Sequence, residues 1–274
     1  MRIVKAAGAL GAFVSDVHIA EAIESSELFE QLHAALLEHQ VLFLRDQHIT
    51  PQQQRAFALR FGPIEGHPAY DVVAGTADVQ ILESTAAKPS KIEMWHSDMT
   101  FRSTPPMLTM LHGKVIPAYG GDTLFSSMTA AYEALSSGMQ QFLGGLTARH
   151  DFAHGFKESL AEPGGHERLK DALAANPPVD HPVIRTHPVT GRKAIFVNAL
   201  FTVRINELKA AESRSVLEML FKHAATDEFT VRLNWAAETL IMWDNRATQH
   251  KPVNDFFPQH RLMHRITVAG DVPC

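Results

Sequence analysis

Apolar positions recur at helical spacing in only a few stretches of the chain. In residues 26–38 (SELFEQLHAALLE), Leu28, Phe29, Leu32, Leu36 and Leu37 form one stripe, the mark of an amphipathic helix. The apolar run Val41–Leu44 that follows is too short for a helix and reads as a buried strand. A second helix is announced by its start: Thr50 is an N-cap, Pro51 suits the first turn and Gln53 completes a capping box. Phe57 and Phe61 share one face of it, and Gly62 marks its expected end. Two short helices are expected within 127–146 and an amphipathic one over 208–225.

Elsewhere short β-prone runs dominate: Val79–Leu82, Met107–Val115, Ala194–Val197, Thr230–Leu233, Thr239–Trp243 and Leu262–Val268. Gly and Pro punctuate them, and no glycine-rich dinucleotide fingerprint occurs, so antiparallel sheets are expected rather than regular βαβ units. The expected fold class is mainly β with surrounding helices, a sandwich or barrel, spanning residues 1–274 as one domain.

Composition narrows the functional classes. A hydrophobic share of 45% and a charged share of 20% are ordinary for a globular protein. A net charge of -5 gives no electrostatic footing for nucleic acid, whose phosphates call for cations. The lone cysteine, Cys274, rules out an intramolecular disulfide or a thiolate cluster. The stretch Ala6–Val14, broken by glycines, is too short to span a bilayer, and a cytoplasmic protein with no membrane partner is expected.

The candidate chemistry begins at His96-Ser97-Asp98. With 16 histidines and 30 acids in the chain, such a triplet carries no weight by count. Its geometry carries more, because residues i and i+2 of an extended segment point to the same side and could hold one ion. Two imidazoles and a carboxylate on one face of an octahedron leave three positions open, which suits non-haem iron that activates oxygen. The third ligand must come from afar. His250 follows the strand-like Thr239–Trp243 and the turn-prone Asp244-Asn245, although a histidine after a loop can equally be a surface residue. In the segment Arg261-Leu-Met-His-Arg265, strand alternation puts Arg261, Met263 and Arg265 on one face. Either both arginines face solvent on an edge strand, or they line a cavity that takes anions, since an unpaired buried guanidinium is costly.

These segments together resemble the taurine dioxygenase family of iron(II)- and 2-oxoglutarate-dependent oxygenases. The resemblance runs from HQVLFLRDQHITPQQQRAFALRFG (39–62) through WHSDMTF (95–101), YGGDTLFSS (119–127), HPVIRTHPVTGRKAIFVN (181–198) and WDNRATQH (243–250) to HRLMHRITVAGD (260–271). It implies a double-stranded β-helix (jelly roll, cupin-like) and a metal triad of His96, Asp98 and His250. It further implies Fe(II), 2-oxoglutarate and O2 as cofactor and co-substrates, with Arg261 and Thr123 on the distal carboxylate of 2-oxoglutarate. His67 and Arg265 match the residues that hold the substrate's sulfonate, and Tyr70, Phe156 and Phe201 match aromatic positions beside it. The implied reaction hydroxylates the carbon next to the sulfonate of taurine or a related alkylsulfonate, releasing sulfite and an aldehyde alongside succinate and CO2. The same chemistry on an alkyl sulfate ester or an aryloxyalkanoate is the alternative, and a non-catalytic cupin-like binding protein is the remote one.

Two positions depart from the taurine pattern. Ile92 stands where that enzyme has an asparagine near the substrate amine, and Gly155 where it has a serine. Both changes remove polar groups from the amine end, so a more apolar anion fits better. A small anionic organic partner and a homo-oligomer, dimer or tetramer, are expected, with 67–94 as a candidate lid.

Overall fold

Seven strands form the larger sheet of the computed structural model, which describes residues 1–66 and 70–274. Their order is Arg2–Lys5, Ala12–Ser15, Val41–Leu44, Leu240–Asp244, Leu108–Val115, Arg261–Val268 and Gln80–Ser84. All neighbours pair antiparallel except Ala12–Ser15 with Val41–Leu44. A smaller antiparallel sheet, Thr230–Leu233, Thr123–Ser127 and Thr248–Pro252, faces it.

Alternation along the central strands explains why their apolar runs are unbroken. Val41, Phe43, Leu111, Ile241, Trp243 and Met263 meet Phe125 and Leu233 of the smaller sheet, and Trp235 just beyond it, in one cluster. The intervening Leu42, Leu44, Leu108, Met110, Leu240, Met242, Ile266 and Val268 turn the other way and pack under helices. A strand covered on both faces reads as a continuous apolar run. Each such Leu, Ile or Phe contributes about 1.5–3 kcal/mol by burial. Two facing sheets with helices outside make the double-stranded β-helix expected of the chain.

Helices Ser26–His39 and Pro51–Leu59 close the outer face, the second with the Thr50/Gln53 capping box. That helix ends at Leu59, earlier than Gly62, because Arg60 N–H and Phe61 N–H bond three residues back and tighten the final turn. Helices Met128–Glu133, Ser137–Leu143 and Ala210–Ala224 pack with the sheet Thr202–Ile205, Thr147–His150 and Val179–Pro182 around a second core. The expected lid is interrupted: Gln80–Ser84 is a strand paired with Arg261–Val268, and 67–69 lie outside the described residues. Among the described residues, no helix is long and apolar enough to cross a membrane.

Candidate active site

His96 and His250 meet through their backbones before their side chains. His96 N–H donates to the His250 carbonyl (3.0 Å) and His250 N–H to the His96 carbonyl (2.8 Å), an isolated antiparallel bridge to the edge strand Thr248–Pro252 of the smaller sheet. The imidazole centroids are 4.1 Å apart, and Asp98 Oδ1 lies 4.0 Å from His96 Nε2. One donor atom from each of His96, Asp98 and His250 falls within 4.8 Å of the others, so the three residues can share one ion.

The surroundings settle which atoms face inward. His96 Nδ1 bonds the Met94 carbonyl (2.9 Å), leaving Nε2 for a metal. Asp98 is held on every side. Its Oδ2 accepts from Thr109 Oγ1 (2.6 Å), its Oδ1 pairs with Arg265 (3.0 Å), and its N–H donates to Asn245 Oδ1 (2.7 Å). Asn245 Nδ2 returns bonds to the Asp98 and Pro106 carbonyls. His250 packs against Trp243 and Phe125 at centroid distances of 4.7 and 6.1 Å, and its Nδ1 is buried without a partner among the described groups.

Electrostatics prepare these groups as ligands. Burial, then the neighbouring His96, pushes His250 down to about 3, and burial lowers His96 as well, so both imidazoles are neutral at physiological pH. Burial by itself would raise the Asp98 carboxyl. Arg265, then His250, His96 and the Thr109 hydroxyl outweigh it and hold Asp98 well below the usual carboxylate range. Two neutral imidazoles and an ionised carboxylate form the donor set a divalent iron needs, with no proton to displace.

Arg261 lies on the same strand as Arg265, four residues away. Its guanidinium carbon sits 5.6 Å from the Trp235 ring centroid and 5.9 Å from that of Phe256, its Nε is buried without a partner, and it forms no ion pair among the described residues. Burial alone pushes it down to about 10. It remains charged at neutral pH, and such a cation calls for an anion. Thr123 stands near it through Trp235, whose Nε1 donates to Thr123 Oγ1 (3.0 Å).

The expected substrate residues divide. Arg265 is buried, its Nη1 donating to Gln80 Oε1 (2.9 Å) and its Nη2 pairing with Asp98. Tyr70 lies within electrostatic reach of Arg265 and Asp98, with burial raising its phenol. Ile92, Phe156 and Phe201 join Met99, Phe101 and Phe152 in one apolar cluster, and Phe201 meets His96 edge-on at 6.3 Å. His67 lies outside the described residues. Gly155 has a role that loss of a polar group does not convey: a Cβ there would lie 2.4 Å from Phe201 Cε1 and 2.5 Å from its Cδ1. Only a bare backbone lets Phe201 sit where it does.

Thr109, Asn245, Gln80 and Trp235 were not foreseen. Thr109 alone left a trace in the sequence, as the polar residue interrupting the apolar run Met107–Leu111.

Comparison with known proteins agrees with this geometry. The family model described as "Taurine catabolism dioxygenase TauD, TfdA family" matches residues 4–267. The chain is 36% identical over 272 residues to an alkylsulfatase of Acinetobacter baylyi, covering 98% of this chain and 84% of that protein. It is 34% identical over 271 residues to an alpha-ketoglutarate-dependent sulfate ester dioxygenase of Pseudomonas putida, covering 97% and 89%. Among solved structures it superposes on a putative alpha-ketoglutarate-dependent taurine dioxygenase from Burkholderia xenovorans with a TM-score of 0.85, at 31% identity, over 99% of this chain and 93% of that one.

Proposed function

Because the chain belongs to the TauD, TfdA family of 2-oxoglutarate-dependent dioxygenases, which use Fe(II), 2-oxoglutarate and O2, we propose that it oxidises an organic anion carrying an apolar chain, an alkyl sulfate ester first and an apolar alkylsulfonate second. The relatives named for sulfate esters support that order. The observation that carries the reading is the Gly155–Phe201 approach. It fills the place of a polar side chain with an aromatic edge, and Ile92, Phe156 and Phe101 extend the same wall. A wall without hydrogen-bond partners does not select an amine such as that of taurine, and it does shelter a hydrocarbon chain.

In this reading His96, Asp98 and His250 hold the iron, and Arg261 with Thr123 grips the distal carboxylate of 2-oxoglutarate. The metal and 2-oxoglutarate together supply the oxidant when bound: one oxygen atom enters succinate as CO2 leaves, and the other becomes a hydroxyl on the substrate carbon. The protein's own task is aim. Arg265, with His67, takes the sulfate or sulfonate group, and the apolar wall holds the chain so that the carbon bearing the anion faces the metal. Hydroxylation of that carbon in a sulfate ester gives a hemiacetal-type product. Its C–O bond to sulfate then breaks as the new hydroxyl loses its proton, leaving an aldehyde and sulfate. The sulfonate counterpart breaks its C–S bond and leaves sulfite.

A panel of taurine, apolar alkylsulfonates and alkyl sulfates, scored by succinate together with sulfate or sulfite, tests this. Alkyl sulfates and apolar sulfonates should turn over with succinate in step. Taurine as the preferred substrate would refute it.

A further inference from the structure

We propose that Trp235 is the positioning residue of the 2-oxoglutarate clamp, acting through Thr123 and Arg261; the inference rests on the reading above that these two residues hold the distal carboxylate. Three observations converge on it. The indole Nε1 of Trp235 donates to Thr123 Oγ1 at 3.0 Å, with both residues buried. The other face of the problem, Arg261, has its guanidinium 5.6 Å from the same indole ring. The segment before Trp235 is locked to the segment before Thr123, because Arg232 Nε (2.6 Å) and Asn234 Nδ2 (2.9 Å) both donate to the Asp122 carboxylate. Trp235 is thereby held two residues past Leu233, the register partner of Thr123, with its indole N–H on the Thr123 hydroxyl.

The hydrogen-bond inventory then fixes polarity. An indole N–H can only donate, and a threonine hydroxyl has one proton and two acceptor lone pairs. With one lone pair taken by Trp235, the hydroxyl proton is left to donate elsewhere. Thr123 is thereby set as a donor beside Arg261, whose buried Nε lacks a partner. Two donor groups, with a single hydroxyl lone pair left as acceptor, favour a carboxylate over a neutral amide or alcohol that must place its own donor. A bond donated to the hydroxyl also polarises its O–H and strengthens the bond it makes in turn.

Trp235 is itself seated by its neighbours. A Cβ on Gly113 of the strand Leu108–Val115 would lie 3.2 Å from Trp235 Cε3 and 2.9 Å from Ile116 Cδ1, so the indole lies against bare backbone. Its remaining contacts are with the apolar cluster between the sheets. It touches none of His96, Asp98 or His250 in the contacts described, so its influence should fall on 2-oxoglutarate and spare the organic anion.

The test is calorimetric titration of 2-oxoglutarate into the full chain loaded with Mn(II), without turnover, for wild type, Trp235→Phe, Thr123→Val, the double variant and Arg261→Ala. Trp235→Phe keeps an aromatic ring beside Arg261 but removes the N–H together with part of the indole's bulk, and the Thr123→Val background separates the two losses. It should weaken 2-oxoglutarate about fivefold, the worth of one neutral hydrogen bond, and leave affinity for the alkyl sulfate within about twofold. In the Thr123→Val background the same change should do almost nothing, because the hydroxyl it acts through is gone. Unchanged affinity in Trp235→Phe, or a full loss persisting in the double variant, would overturn the proposal. If instead Arg261→Ala and Thr123→Val leave 2-oxoglutarate binding untouched, the clamp reading itself fails. Should Trp235→Phe not fold, the assigned indole N–H resonance of wild-type protein loaded with zinc decides. It should shift on adding 2-oxoglutarate and not in Thr123→Val, and a resonance unmoved at saturation would refute the coupling.

Discussion

Two arginines four residues apart on one strand, Arg261 and Arg265, live in opposite surroundings. Arg261 has aromatic rings beside it, a buried Nε without a partner and no carboxylate among the described residues. Arg265 has two polar partners, Gln80 and the carboxylate of Asp98. The first is a preset socket whose charge is balanced only when an anion arrives. The second already pairs with the carboxylate of Asp98, so in the proposed reading a substrate anion that reaches it would compete with Asp98, and an iron that takes Asp98 would free it. On the proposed assignment, the co-substrate end would be built in advance, while the substrate end would depend on what the metal site holds.

Removing each arginine in turn tests the contrast most directly, with the greatest effect on substrate kinetics. Arg261→Ala should raise the apparent KM for 2-oxoglutarate about 10- to 100-fold, the loss of charge-assisted hydrogen bonds, with little change in that for the organic anion. Arg265→Ala should do the reverse and also loosen iron, since Asp98 loses the cation that does most to keep it ionised. Separate titrations of the two substrates decide, and equal effects from both variants would erase the distinction.

A second buried carboxylate extends the contrast away from the metal. Asp244 accepts from Arg246 through both oxygens and from His187 Nε2 (2.9 Å), just before the turn that carries Asn245 and leads to His250. Burial would raise it, but the hydrogen bonds from Arg246 and His187 hold it well below the usual carboxylate range. A carboxyl depressed in the folded state adds stability that is complete above its unfolded pKa, near 4, and is lost as pH falls from there toward the folded value. Asp244→Asn should cost about 3–5 kcal/mol at neutral pH, because Arg246 is left buried and unpaired, and should flatten the acid limb of the stability curve. Urea unfolding across that range reads both. A variant as stable as wild type would show that the pair contributes nothing.

The smallest effect is expected at the apolar wall. Gly155→Ser should cost about 1–3 kcal/mol as Phe201 is forced aside, and should lower kcat/KM for long alkyl sulfates more than for short ones. Thermal melts and a chain-length series measure the two parts.

How far the sequence reached follows from the range of each interaction. The helix capped by Thr50 and Gln53 and the strand Thr230–Leu233 were legible because their signals are local. The hairpin Arg2–Lys5 with Ala12–Ser15 was not, since its glycine-broken apolar stretch has neither clear alternation nor a helical stripe. His96 and Asp98 were legible as i and i+2 of one segment. His250 needed a distant backbone bridge that no local pattern encodes. Trp235 and Asn245 act on Thr123 and Asp98 across the fold, so spacing could not reveal them. Gly155 was visible as a missing polar group, yet its larger consequence, the seat it makes for Phe201, exists only in three dimensions.

The central claim is that His96, Asp98 and His250 form an iron site beside an Arg261 socket for 2-oxoglutarate. Anaerobic addition of Fe(II) and then 2-oxoglutarate tests it most directly. The account predicts a visible charge-transfer absorption band on adding 2-oxoglutarate, absent in His96→Ala and Asp98→Ala, and in Arg261→Ala formed only at much higher 2-oxoglutarate. No band in the wild type, or an undiminished band in His96→Ala, would contradict it.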